Sequence, residues 1–182
     1  MAGRFTFQLT SANPRLGLPY KVLFAQRETE TPSHVLLKLL GFLMFFRERL
    51  QIEPRLPDDN IPFEPDLVEL DYTLRPVLWV ECGECSVTKL DKLAVKAPEA
   101  ALWVLKRCYG ELENLRQLME RHGLRRGRYH LVGFEAEGFL ELLAALRPRN
   151  EVFWAGHNLD PPEARFDFNG LWYELPFRLV HF

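Results

Sequence analysis

Between Pro65 and Lys92 the chain sets two carboxylates and two ammonium groups at spacings suited to phosphate chemistry. Asp66 stands at the mouth of the alternating run Leu67–Val68–Glu69–Leu70. Glu81 closes the apolar run Val77–Leu78–Trp79–Val80. Both runs read as strands, the second covered on two faces, so each is expected to bring one acid to a sheet edge. Magnesium characteristically takes one or two carboxylates and keeps its other positions for water and substrate phosphate. A neighbouring ammonium then stabilises the charge that builds on a phosphoryl oxygen. Asp66 and Glu81 are therefore candidate ligands for Mg²⁺ or Mn²⁺, with the backbone carbonyl of Cys82 completing the shell. Spacing alone is met equally by two solvated strand-end carboxylates.

Behind Gly83 the pattern predicts a helix over Thr88–Ala97. Leu90, Leu93, Ala94 and Ala97 form its buried stripe, and Lys89, Lys92 and Lys96 lie opposite. Lys89 and Lys92 are three residues apart and face the same way. Their plain alternative is a solvated helix face, which is the reading adopted for Lys96. Trp79 shares a strand face with Glu81 by alternation and either walls the site or packs.

Acid, second acid on the next strand, then lysine is the order found in PD-(D/E)XK nucleases. Here Pro65–Asp66 and Glu81 fit that order, but Gly83 stands where the superfamily usually has lysine. Nearly the whole chain resembles the YaeQ family of small bacterial proteins, regarded as variants of that fold. Three stretches carry the resemblance: RETETPSHVLLKLLGFLMFFRERLQI, PDLVELD with LWVECG, and the lysine helix. The resemblance implies a restriction endonuclease-like α/β fold, with a mixed central sheet flanked by helices and antiparallel hairpin strands at both ends of the chain. It also implies that Lys89 or Lys92 replaces the lysine missing at Gly83, and that Glu30 adds a third metal-binding carboxylate; the plain alternative for Glu30 is favourable charge placement at a helix amino end. Gly83 itself either lets the backbone pass close to a phosphate or simply permits the turn.

A chain of 182 residues with 47% hydrophobic content supports one domain over residues 1–182 with a full core. A formal charge of −2 excludes a protein that coats nucleic acid non-specifically, although a locally basic cleft is compatible with it. The amino end lacks the layout of a signal peptide, and the longest apolar run, Val35–Phe46, falls short of the roughly 18 residues a membrane span needs. Three cysteines suit a reducing compartment, so a cytoplasmic protein without membrane contact is expected.

In chain order, Arg4–Thr10 and Lys21–Gln26 read as an antiparallel hairpin joined through Asn13, Pro14, Gly17 and Pro19. Thr31–Pro32 caps a long apolar helix running to Leu50. Glu53–Glu64 reads as a proline-rich exposed loop that delivers the chain to Asp66. After the lysine helix come a strand at Ala101–Leu105, a helix at Glu111–His122, a strand at Tyr129–Phe134 and an amphipathic helix at Ala136–Leu146. Glu151–Ala155 and Leu171–Pro176 are expected as antiparallel strands flanking a Pro-Pro turn region.

Other motifs carry less. Cys82–Gly83–Glu84–Cys85 is a C-x-x-C without the second ligand pair that structural zinc wants, so Cys82 reads as a buried strand residue. The window Leu124–Arg128 reads as a solvated basic turn. His34, His122, His130, His157 and His181 show no pairing that suggests a dyad and receive no role. Two functions follow: a Mg²⁺-dependent nuclease using Asp66, Glu81 and Lys89 or Lys92, and a non-catalytic descendant of the same fold that binds nucleic acid or a protein partner.

Overall fold

The computed structural model describes residues 3–182, and its centre is a ten-stranded mixed sheet. The strands are β1 (Arg4–Ser11), β2 (Lys21–Ala25), β3 (Leu50–Ile52), β4 (Leu67–Leu70), β5 (Pro76–Cys82), β6 (Ala101–Lys106), β7 (Tyr129–Phe134), β8 (Arg149–Leu159), β9 (Pro162–Phe168) and β10 (Leu171–His181). The helices are α1 (Pro32–Met44), α2 (Val87–Lys96), α3 (Tyr109–Arg121) and α4 (Ala136–Ala144). Spatial order is β2-β1-β8-β9-β10-β7-β6-β5-β4-β3. β1 runs parallel to β8, and β5, β6 and β7 run parallel to one another; the remaining pairs are antiparallel. Among the described residues, no helix is long and apolar enough to cross a membrane.

Two apolar clusters flank the sheet. On one side α1 and α4 pack with the inward residues of the strands, among them Phe7, Phe24, Leu67, Val80 and Phe166. On the other, Leu90 and Leu93 of α2 and Leu112, Leu115 and Met119 of α3 cover Trp79, Leu102, Val104 and Leu131. α1 is buried from Val35 to Met44, which fits a segment apolar on every side. It touches β2 and β8 as well as β4, β5 and β6, so the sheet wraps around it. Gly41 permits the approach: a Cβ there would lie 3.0 Å from Leu67 Cδ1 and 3.2 Å from Leu105 Cδ2.

The opening hairpin forms as expected, and the mixed sheet with helices on it is the observed architecture. Three local expectations are corrected. The first helix ends at Met44, not Leu50, because Leu50–Ile52 pairs as β3 with β4 and the ladder satisfies its backbone groups. Thr31 stands at the N-cap position, but its side chain makes no capping bond; its carbonyl accepts the His34 amide instead. The Pro-Pro region holds a further strand, β9, in which Ala164, Phe166 and Phe168 alternate inward, with Pro162 at the first position where a missing donor is tolerated.

Candidate active site

The cleft opens where the amino ends of α1 and α2 meet the carboxyl edge of β5. Its volume is about 380 Å³. Antiparallel register sets its centre: Leu67 pairs with Val80, so Asp66, one residue before β4, stands opposite Glu81 at the end of β5. Asp66 Oδ2 accepts the Cys82 amide at 2.7 Å, which ties the aspartate to the strand edge. The carbonyl of Cys82 faces the same edge, since a strand residue's N–H and C=O point the same way.

Glu30 and His34 arrive from the start of α1, one helical turn apart. His34 Nε2 lies 2.9 Å from Asp66 Oδ1 and 3.5 Å from Glu30 Oε1. One ligand atom from each of the three lies within 4.8 Å of the other two. Glu30 Oε2 is held by Lys38 Nζ at 2.9 Å and by the Arg27 amide at 3.1 Å. Burial pushes the Glu30 carboxyl up, but the Lys38 ammonium and the Arg27 amide outweigh it and keep the group below its ordinary value.

Glu81 occupies the other wall. Its side chain is buried on the α2 face of the sheet, where Trp79 Nε1 donates to Oε1 at 2.7 Å. Lys89 Nζ straddles the carboxylate 2.7 Å from each oxygen. Lys89 is placed there by the cap of α2, whose Ser86 hydroxyl accepts the Lys89 amide at 3.1 Å. Burial raises the Glu81 carboxyl above its usual value against the pull of Lys89. Glu81, expected as a metal ligand, therefore has both oxygens engaged and stands outside the Glu30–His34–Asp66 cluster.

Of the two candidate lysines, Lys89 lines the cleft, whereas Lys92 is exposed one turn further on and lines none of it. Gly83 does line the cleft, with φ +79°, and its carbonyl accepts a hydrogen bond from the buried Lys106. Trp79 is wholly buried and both packs and braces Glu81. Cys82 is buried as expected. Burial, reinforced by Asp66 and Glu81, holds its thiol well above the ordinary value, and burial pushes Cys85 up to about 12. Both sulfurs stay protonated and are poor ligands or nucleophiles.

Three participants received no role from the sequence: His34, set aside with the other histidines but in fact paired with Asp66, and the lysines Lys38 and Lys106. For the lysines a signal existed, since a charge inside an apolar run or at the end of an apolar strand must find a buried partner. Lys38 bonds Glu30, Glu53 and the Ala25 carbonyl, and among the described residues no buried side-chain polar atom lacks a partner. His34 had no such signal, because Asp66 lies 32 positions away. The basic window lies apart from the cleft: Arg128 bonds the carbonyls of Ala97 and Ala100, and Arg126 pairs with Glu120.

The cleft lining carries Glu30, Glu64, Asp66, Glu81, Glu84 and Glu111 against Arg27, Lys89 and Arg107. Arg27 pairs with Glu64 at 3.0 Å, and Arg107 pairs with Glu111. A surplus of carboxylates repels a polyanion and attracts a cation, so a phosphate would enter favourably only after a dication.

The fold and this cleft define a mixed α/β protein with an acidic, lysine-bearing crevice at a sheet edge. The chain belongs to the YaeQ family: the family model described as YaeQ protein matches residues 3–151. Two solved structures share its fold along their whole length. YaeQ protein from Xanthomonas axonopodis pv. citri superposes with a TM-score of 0.70 at 21% identity, covering 100% of this chain and 99% of that one. YaeQ protein from Pseudomonas syringae gives 0.73 at 15% identity, covering 100% and 97%. No curated protein matches the chain.

Proposed function

We propose that the protein is a divalent-cation-dependent phosphodiesterase of the PD-(D/E)XK type, a nuclease whose lysine has moved from the strand to the following helix. The observation that carries this reading is the pairing of Lys89 with Glu81 beside Asp66, on neighbouring antiparallel strands followed directly by α2. The order of acids and lysine supports the restriction endonuclease-like assignment.

The donor chemistry of the cleft fits a hard dication. Asp66 and Glu30 each have one oxygen held from behind, by the Cys82 amide and by Lys38, and the other beside the His34 imidazole, and the Cys82 carbonyl lies on the same edge. When bound, the cation would polarise a phosphoryl oxygen and lower the pKa of water. The chain's own residues do the rest. Lys89 supplies a fixed positive charge where charge develops on the phosphate, and Ser86 and Glu81 orient it. Glu81 keeps that ammonium at the cleft floor until a phosphate competes for it. Arg27 and Arg107, each paired with a glutamate at the rim, are the residues positioned to meet flanking phosphates of a nucleic acid strand.

The test is cleavage of single- and double-stranded DNA and RNA with Mg²⁺ or Mn²⁺, for the wild type and Asp66→Asn. Metal-dependent cleavage lost in the variant is the expected outcome. Saturable binding of a nucleic acid with no cleavage under any of these conditions would replace this reading with the non-catalytic binding module.

A further inference from the structure

We infer that His34 Nε2 is a direct metal ligand, and that it makes this cleft select a first-row transition-metal dication over Mg²⁺. The inference rests on the reading of the cleft as a cation site and specifies which cation it takes.

Around a cation with bonds of about 2.1 Å, adjacent donors stand about 3–3.5 Å apart. His34 Nε2 lies 2.9 Å from Asp66 Oδ1 and 3.5 Å from Glu30 Oε1. The opposite oxygens are held from behind, Glu30 Oε2 by Lys38 and Asp66 Oδ2 by the Cys82 amide, so Asp66 Oδ1, which shares a hydrogen bond with His34 Nε2, and Glu30 Oε1 both face the imidazole. Outer-shell support of this kind characterises a ligand set fixed in advance of the metal.

A second observation concerns the far side of the ring. His34 Nδ1 would lie 3.3 Å from a Cβ built on Gly83, and Leu37 Cδ1 would lie 3.8 Å from it. The imidazole thus occupies the space into which a side chain at position 83 would grow. The absence of a side chain there and the presence of an imidazole in the ligand cluster are one packing arrangement. Where the superfamily pattern would put a strand lysine, this chain puts a nitrogen donor carried by α1.

The donor set decides the metal. An all-oxygen site suits Mg²⁺, which demands near-ideal octahedral oxygen geometry and dehydrates reluctantly. An imidazole beside two carboxylates suits the first-row transition dications, the later ones most and Mn²⁺ least among them.

Pulsed electron paramagnetic resonance on the full-length protein loaded with Mn²⁺ reads ligation directly, through coupling of the electron spin to imidazole nitrogen. The wild type should show that coupling, and His34→Asn should lose it. Calorimetry should show Mn²⁺ bound at least about 10-fold more tightly than Mg²⁺ by the wild type, with the preference removed in the variant. Mn²⁺ binding that Asp66→Asn abolishes, but without nitrogen coupling and without preference over Mg²⁺, would overturn the His34 assignment and leave the cation site standing. If the wild type bound no dication at all, both this inference and the phosphodiesterase reading would fall. Because the nitrogen coupling is read on the wild type, the outcome does not depend on the variant folding.

Discussion

Lys89 Nζ stands 2.7 Å from both oxygens of Glu81, eight residues earlier in the chain, while Lys92, one turn further along the same helix, faces solvent. The two lysines share a helix stripe and differ only in which turn of α2 reaches the edge of β5. That difference of one turn separates a positioned charge from a solvated one. Lys89→Ala should lower cleavage about 10²- to 10³-fold, whereas Lys92→Ala should change it less than about twofold, both read as kcat/KM on one oligonucleotide.

Lys38 links Glu30 to Glu53 from within the apolar body of α1, with no exposed surface of its own. Lys38→Met keeps the volume but removes the buried ammonium between the two carboxylates, leaving Glu53 only the half-exposed Arg27 at 3.5 Å. Such a broken buried pair costs about 3–5 kcal/mol. Urea unfolding should show this loss. A stability equal to wild type would mean that Glu30 and Glu53 are not held by this ammonium.

At Gly83 the backbone has φ +79°, and a Cβ would press on the His34 ring. Gly83→Ala should destabilise the protein by about 1–2 kcal/mol for the left-handed conformation alone. A lysine at position 83 should not substitute for Lys89: Gly83→Lys combined with Lys89→Ala should cleave no faster than Lys89→Ala, because the imidazole already fills the path of the side chain.

Glu30 and Glu81 titrate in opposite senses. Glu30 is held below its ordinary value, so its stabilisation is present above the unfolded carboxylate range and fades as pH falls through the depressed folded value. Glu81 is held above its ordinary value by burial. It binds its proton more tightly when folded, so it opposes folding at neutral pH, and that penalty fades as pH falls through the folded value toward the unfolded one. Glu81→Gln should therefore raise Tm by about 2–4 °C at pH 7.5 while lowering cleavage by no more than Lys89→Ala does. The gain should disappear below about pH 4, where both forms carry a neutral group. Glu30→Gln should lower Tm at pH 7.5 instead. Melting curves of the three proteins across this range separate the two behaviours.

Much of this molecule could be read from local pattern. Alternation located β1, β2 and β4; continuous apolar runs located β5 and β6; the 3.6-residue stripe located α2 and α4. In each the side chains that face the core recur at the period of the element, so the signal is contained within one short segment. The same logic put Trp79 and Glu81 on one face and placed Asp66 at a strand mouth. The sequence also determined that position 83 is a glycine and not a lysine, and that α2 carries three lysines, of which Lys89 and Lys92 were the candidates.

Tertiary structure decided what the chain could not state locally. Antiparallel register set Asp66 opposite Glu81, and the packing of α2 chose Lys89 over Lys92. The end of α1 was settled by pairing of Leu50–Ile52 with β4, a gain absent from any helix pattern. His34 entered the cleft because α1 lies across the sheet, bringing a side chain from position 34 to one at position 66. Helix and strand periods are properties of adjacent residues, whereas a ligand cluster is a property of the space where separate elements end. Only the folded chain defines that space.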